Sequence, residues 1–442
     1  MAKKILSLAA SVVICGTVAQ AGETLVDAFK DGKVNGQIRL FYIDRNYNTD
    51  THRAGVALGG HLKYETAKLK GFSTGIAFYT TNSVGLDSDN LPGTSIDPTL
   101  FGEDKENYTV TGEAYLKYNY NKLMVKAGRQ IINTPMLKAF DVRMVPNFYE
   151  AYLLNSKDLD GFDFTLAHVV KFNAGTFANT YKGGISAATG GYSYINADMG
   201  IFSNIGEYSI GVSTDGITLG GVKYSGIKNL KVEAWDYYVH DILNALYLQS
   251  SYALEFGVLK LTTSAQFIKE NDVGSALVKA KDLGNIDFDK VNSTYGAIKV
   301  GANYDKSLSG YIAYSVTGSD ANNAKGSSII NMWGSTTGFT GGMVSHQELY
   351  ADTKAVKVAL KYDFKKLGVN LNALVYHCNF DMGEDNGYVN GTAWTAKESG
   401  FDIKYKPSSV KNLQLRFRGN FPRDFKENLD WDEYRFIVNY NF

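Results

Sequence analysis

The sequence predicts an all-β fold, a transmembrane antiparallel β-barrel of about 18 strands. Three observations carry that expectation. The last ten residues form a two-faced strand. The connections along the chain alternate between short and long. The chain opens on an export segment, and no later apolar run is long enough for a membrane helix.

The terminal strand runs from Glu433 to Phe442, E-Y-R-F-I-V-N-Y-N-F. Tyr434, Phe436, Val438, Tyr440 and Phe442 alternate with Glu433, Arg435, Ile437, Asn439 and Asn441. Neighbouring side chains of a β-strand point to opposite faces. One face is therefore apolar and the other mostly polar. A soluble sandwich strand shows the same alternation. Its edge, however, is normally blunted by charge or proline, whereas this chain stops on Phe442. Aromatics near the ends of the apolar face fit the band where lipid meets water. A last strand closing on Phe442, with Tyr440 two residues before it, also resembles the signal by which bacterial outer-membrane barrels are recognised by the barrel-assembly machinery.

Residues 1–21 read as a secretory signal peptide. Lys3 and Lys4 supply the positive start, Ile5 to Val18 the apolar stretch, and Ala19-Gln20-Ala21 the small-residue cleavage site. Ile14 precedes Cys15 where a lipoprotein signal requires a small residue, so that reading is rejected. The expected organisation is a signal peptide (1–21) and a single barrel domain (22–442). N-terminal sequencing of the purified protein should return Gly22 first. Retention of Met1 to Ala21 would overturn the export assignment.

Without the signal, 43 basic residues face 45 acidic ones, a formal charge of −2, which excludes a generally basic nucleic-acid binder. Cys378 is then alone, so no internal disulfide forms. Gly (45) and Tyr (30) are abundant and Pro (6) is scarce, as suits strands with aromatic girdles and tight turns.

The first strand is read from Val34 to Tyr42, the next from Gly55 to Glu65, then Phe72 to Thr81. Hairpins follow at Tyr108–Tyr120 with Leu123–Gln130, and at Phe148–Leu154 with Phe162–Lys171. Residues 172–215 are patchy, with room for short extra strands. Clear hairpins resume at Ile217 and continue to Cys378, before Gly400–Lys406, Leu413–Phe421 and the terminal strand. Short connections (Asn121-Lys122, Gly257-Val258, Asp305–Ser309) alternate with long ones (Asn82–Asn107, Lys269–Thr294, Gly318–Asp352, Asn379–Ser399). Short inner turns and long outer loops are the membrane-barrel asymmetry. The connection between Val239 and Ala245 is the exception, short where a long one is due. No domain boundary is visible, and a split would leave an open sheet edge in lipid.

Enzyme signatures are lacking. The six histidines are scattered without metal-ligand spacing, and there is no phosphate loop or dinucleotide fingerprint. Asp87-Ser88-Asp89-Asn90 departs from the full calcium-loop template and reads as a solvated loop.

Alternation assigns faces. On the strand Leu413–Phe421 the apolar positions face lipid, so Arg416 and Arg418 face the lumen. One strand earlier, Asp402 and Lys404 face in. On the terminal strand Glu433 and Arg435 do, and on the first strand Arg39. A closed barrel pairs its last strand with its first. Lys404, Arg416, Arg418, Arg435 and Arg39 thus line one continuous sector, suited to attract anions and grip carboxylates. The alternative is that they pair with Asp402 and Glu433 and only brace the wall.

Gly128 to Ala151 carries a further pattern: Gly128-Arg129-Gln130, Thr134-Pro135, Asp141, Arg143-Met144, Pro146 and Phe148-Tyr149-Glu150-Ala151. Here the chain resembles the OprD-type substrate-specific porins of bacterial outer membranes. The resemblance implies a monomeric 18-stranded barrel in the bacterial cell outer membrane. It implies a third outer loop, about 131–147, folded inward to narrow the pore. It also implies a ladder of basic residues on the last strands and the first. Lys404, Arg416, Arg418, Arg435 and Arg39 are the candidates for that ladder, and Arg143 for the constriction. The fourth outer loop, 172–215, is longer and greasier than the pattern suggests, which leaves a plug, a binding loop or an adhesive loop open.

The expectation is a passive porin for small solutes, favouring carboxylates or other anions, with no cofactor and no chemical step. Its partners would be those solutes, outer-membrane lipid and the assembly machinery, not nucleic acid. A trimer stays open beside the monomer. The rival readings are a non-selective general porin, a barrel enzyme such as a lipid hydrolase, and an adhesin.

Overall fold

Alternating sequence becomes wall in the computed structural model, which describes residues 24–49, 51–85, 94–180, 199–331, 333–334, 338–389 and 391–442. The expected signal peptide and the acidic cluster 87–90 lie outside the described residues. Eighteen strands form the wall among the described residues. They are β1 (Lys33–Tyr47), β2 (His52–Glu65), β3 (Phe72–Ser83), β4 (Tyr108–Tyr120), β5 (Leu123–Gln130), β6 (Phe148–Ser156), β7 (Phe162–Asn173), β8 (Ile217–Tyr224) and β9 (Leu230–Val239). The second half comprises β10 (Leu243–Phe256), β11 (Leu259–Asp272), β12 (Asn292–Tyr304), β13 (Leu308–Thr317), β14 (Thr353–Asp363), β15 (Leu371–Met382), β16 (Trp394–Tyr405), β17 (Leu413–Arg423) and β18 (Trp431–Asn441). Each pairs antiparallel with its chain neighbours, and β1 closes on β18. Closure removes the open edges that lipid would not tolerate.

Several strands run further than the sequence reading placed them. β1 extends to Tyr47, and β15 and β16 narrow the loop between them to 383–393. The apolar–polar alternation that marks a strand exists only where one face meets hydrocarbon. Beyond the lipid band the outward positions turn polar, as at Asp44 and Asn46, while the ladder continues. The connection 240–242 is short, as the sequence suggested, and the first outer connection, 48–51, is short as well.

The seam between β1 and β18 depends on the last residue. Gly36 N–H donates to the Phe442 carbonyl at 2.9 Å, and Phe442 N–H to the Gly36 carbonyl at 3.0 Å. The Phe442 ring fills the space beside Gly36, where a Cβ would come within 2.6 Å of it. Tyr440 and Phe442 are both exposed on the outward face. Replacing both by Ser should sharply reduce the inserted fraction, whereas Asn441→Ser should not. The readout is the membrane fraction of protein whose gel mobility changes on boiling. Equal insertion of the two variants would remove this strand from the assembly signal.

The outer end of the lumen is packed with its own loops. We label them L3 (131–147), L4 (174–216), L6 (273–291) and L7 (318–352). Ile132, Met136 and Leu137 of L3 join Ile205 and Tyr208 of L4, Leu277 of L6 and Trp333 of L7 in one buried apolar cluster against β6–β12. The greasy character of the described part of L4 is largely accounted for: Ile205, Tyr208 and Ile210 are buried in the cluster shared with L3, while Ile201 stays exposed. Among its described residues L4 adds one two-residue pairing, Ser203–Asn204 with Lys171 and Phe172, and a short helix, Ile205–Ile210.

Candidate solute pathway

Strand register brings the charged side chains together. Lys404 stands opposite Arg416, Asp402 opposite Arg418, and Arg418 opposite Arg435. Glu433 stands opposite Arg45, and Asn439 opposite Arg39. All of these positions share the inward parity, so β16, β17, β18 and β1 present one charged sector.

Within it, two clusters differ in access. In the first, Asp402 accepts from Arg416 Nε at 2.7 Å and from its terminal nitrogen at 2.6 Å. Lys404 Nζ lies 3.5 Å and Arg418 Nε 3.7 Å from the same carboxylate. Three cations therefore share one anion. The side chains are 36% (Lys404), 23% (Arg416) and 11% (Arg418) exposed, so two of the three reach water. Arg418 also donates to Met343 Sδ of L7 at 2.9 Å.

The second cluster is sealed. Glu433 binds Arg45 at 2.5 Å through one oxygen and Arg435 through the other, and Arg45 reaches Asp97 at 3.0 Å. Arg143 lies among them, its Nε donating to Thr99 Oγ1 at 3.0 Å. Arg143 and Arg435 are each 1% exposed. Burial, and then the neighbouring Arg435 and Arg45, push Arg143 well below the usual guanidinium range.

Arg39 ties L3 to the wall. It binds Asp141 with two parallel hydrogen bonds of 2.6 and 2.8 Å, gives Nε to Asn439 at 2.9 Å, and donates to the Arg143 carbonyl. At the other side of the lumen, Met136 N–H of L3 meets the Tyr237 hydroxyl at 3.3 Å. L3 thus touches both β1 and β9, across the barrel. Burial pulls the Lys138 ammonium of L3 below its usual range, against the pull of Glu233. A cavity of about 190 Å³ lies between L3 and β1–β3, lined by Arg39, His61, Tyr79 and Asp141.

Among the inward cations that the sequence reading did not name are Arg45, Lys299 and Lys357. Arg45 keeps the parity of Arg39 but falls beyond Tyr42, where the apolar alternation stops. Lys299 lies 4.1 Å from the centre of the Phe339 ring of L7, and Lys357 donates to the Gly341 carbonyl of the same loop. Lys299 sits between the outward Ile298 and Val300, so alternation on β12 identifies it.

Comparison with known proteins settles what this barrel is. Residues 27–442 match the family model described as outer membrane porin, OprD family. The chain belongs to the OprD family. As an OprD-family porin it is an outer-membrane channel for small solutes. Solved structures share its fold at low identity. Pseudomonas aeruginosa OccK9 (OpdG) is 18% identical with a TM-score of 0.74, covering 94% of this chain and 99% of that one. P. aeruginosa OpdK, solved with vanillate, is 17% identical with a TM-score of 0.70 over the same shares. Acinetobacter baumannii OccAB3 is 16% identical with a TM-score of 0.75, covering 93% and 99%. No curated protein matches the chain.

Proposed function

We propose that this porin favours carboxylate-bearing or anionic solutes. One observation carries the proposal: Lys404, Arg416 and Arg418 share the single carboxylate of Asp402 on the lumen wall. The cluster keeps an excess of positive charge, and its two outer members stand open to water. Arg39 holds L3 against the wall through Asp141 and the Arg143 carbonyl, while Arg143 and Arg435 are sealed beside Glu433. The vanillate bound in the OpdK structure is itself an aromatic carboxylate.

The magnitudes suit passage rather than trapping. Two unit charges at 4 Å interact by roughly 1 kcal/mol in water and roughly 4 kcal/mol near a protein surface. Salt in the pore screens this further. Conduction requires binding that is strong enough to admit a solute and weak enough to release it. We further propose export by residues 1–21, assembly through Tyr440 and Phe442, and function as a monomer.

The test is electrical. In a bilayer with a salt gradient, the zero-current potential should take the sign of anion preference, and small carboxylates should permeate faster than neutral solutes of equal size. A potential near zero with equal fluxes would make this a general porin.

A further inference from the structure

The N-terminal helix carries an apolar face that nothing in the channel uses. It runs from Leu25 to Lys30 and is started by a capping box: Thr24 Oγ1 accepts from Asp27 N–H at 3.2 Å, and Asp27 accepts from Thr24 N–H at 3.1 Å. Leu25 and Phe29 lie one turn apart on one face, with Val26 beside them. They are 64%, 52% and 74% exposed, respectively. Asp27 and Lys30 fall on a different side of the helix. Ala28 is buried, and its carbonyl accepts from Ala67 N–H at 2.9 Å. That contact docks the helix on the short connection 66–71, hence at the periplasmic end of the barrel.

The docking site is outside the wall, not inside it. Tyr64 shares the outward parity of Leu58 and Leu62, which are exposed to lipid. Its ring stacks on Phe29 with centroids 6.5 Å apart and planes inclined by 21°, and its hydroxyl donates to the Phe29 carbonyl. The same ring covers Gly32, where a Cβ would come within 2.3 Å of the Tyr64 hydroxyl. Phe29 therefore continues the lipid-facing surface that includes Val34 and Phe442 at this rim.

We propose that this helix is an interfacial anchor, with Leu25, Val26 and Phe29 seated in the headgroup–acyl boundary of the periplasmic leaflet of the outer membrane. The occupant of the exposed face is lipid because the face is continuous with the lipid-facing wall through the Phe29–Tyr64 stack. An apolar face of a short helix lying in the plane of the interface, with charged residues turned aside, is the arrangement of a monotopic anchor. Tyr64 beside the helix combines an apolar ring with a polar hydroxyl, as suits that depth.

The experiment places a nitroxide label on Val26→Cys in the full mature protein, reconstituted in phospholipid vesicles. Lys306→Cys, on a periplasmic turn and exposed, is the aqueous reference. Cys378 is fully buried and does not compete for label. Collision rates with lipid-soluble oxygen and a water-soluble nickel chelate are compared by power saturation. The oxygen-to-nickel ratio at position 26 should exceed that at 306 severalfold. A ratio equal to that at 306 would overturn the anchor. A label shielded from both reagents would also overturn it, since the face would then be covered by a second copy or another protein.

Discussion

Replacing Arg416 and Arg418 together by Gln should remove most of the anion preference of the channel and slow carboxylate flux severalfold, leaving neutral-solute flux little changed. In the native wall, Lys404, Arg416 and Arg418 face one carboxylate, Asp402. After the double substitution only Lys404 remains, and Asp402 cancels it. The two arginines stand about 7 Å apart along one strand face, from a rise of ~3.3–3.4 Å per residue. Arg416 can meet a passing carboxylate from the water while Arg418 adds its charge from behind, and removing both abolishes the excess charge of the cluster. Gln keeps an N–H donor for the buried Asp402, which limits the cost of an unsatisfied acceptor. The reciprocal change, Asp402→Asn, should increase anion preference. Zero-current potentials and liposome fluxes of a small acid and a neutral solute provide the readouts. Unchanged selectivity in a folded, inserted double variant would make these arginines structural. A parallel fall in neutral flux would indicate a collapsed pore instead.

The wall was readable from sequence because lipid imposes a strict rule on it. Every second residue of Glu433–Phe442 had to be apolar, and the register confirms Tyr434, Phe436 and Tyr440 on the exposed face. The same parity put Arg416, Arg418, Lys404, Arg435 and Arg39 inside, where they lie. What parity could not give is depth of burial. Alternation treats Arg416 and Arg435 alike, yet one is open to water and the other sealed, because L3 and the segment around Asp97 pack over the cluster that holds Arg435 and leave Arg416 uncovered. Covering loops are set by long-range packing such as Met136 against Tyr237, separated by about a hundred residues, and no local pattern encodes it. Arg45 was lost for a related reason. The strand goes on past the lipid band, but its signature does not.

Replacing Glu433 by Gln should destabilise the barrel more than any single change in the accessible cluster. Glu433 is fully buried, and its two oxygens hold Arg45 and Arg435, with Arg143 beside them and Asp97 as the second anion. Three buried cations against two anions is already an excess of one. The substitution raises it to two, in a place water does not reach. Removing one partner of a buried ion pair costs roughly 3–5 kcal/mol, since the partner charge stays desolvated. The expected result is a lower temperature for the boiling-dependent change in gel mobility and a smaller inserted fraction. Restoring the balance separates charge from shape. In Glu433→Gln with Arg435→Gln, Arg45 and Arg143 face Asp97 and the excess returns to one. The double variant should recover part of the lost stability, because charges in one network couple non-additively. Its selectivity should stay close to that of the native channel, since Arg435 is sealed from the pore while Arg416 and Lys404 are untouched. A double variant less stable than Glu433→Gln alone would show that Arg435 contributes packing rather than compensated charge. A selectivity loss as large as that of the Arg416, Arg418 pair would move the solute path toward β18 and β1.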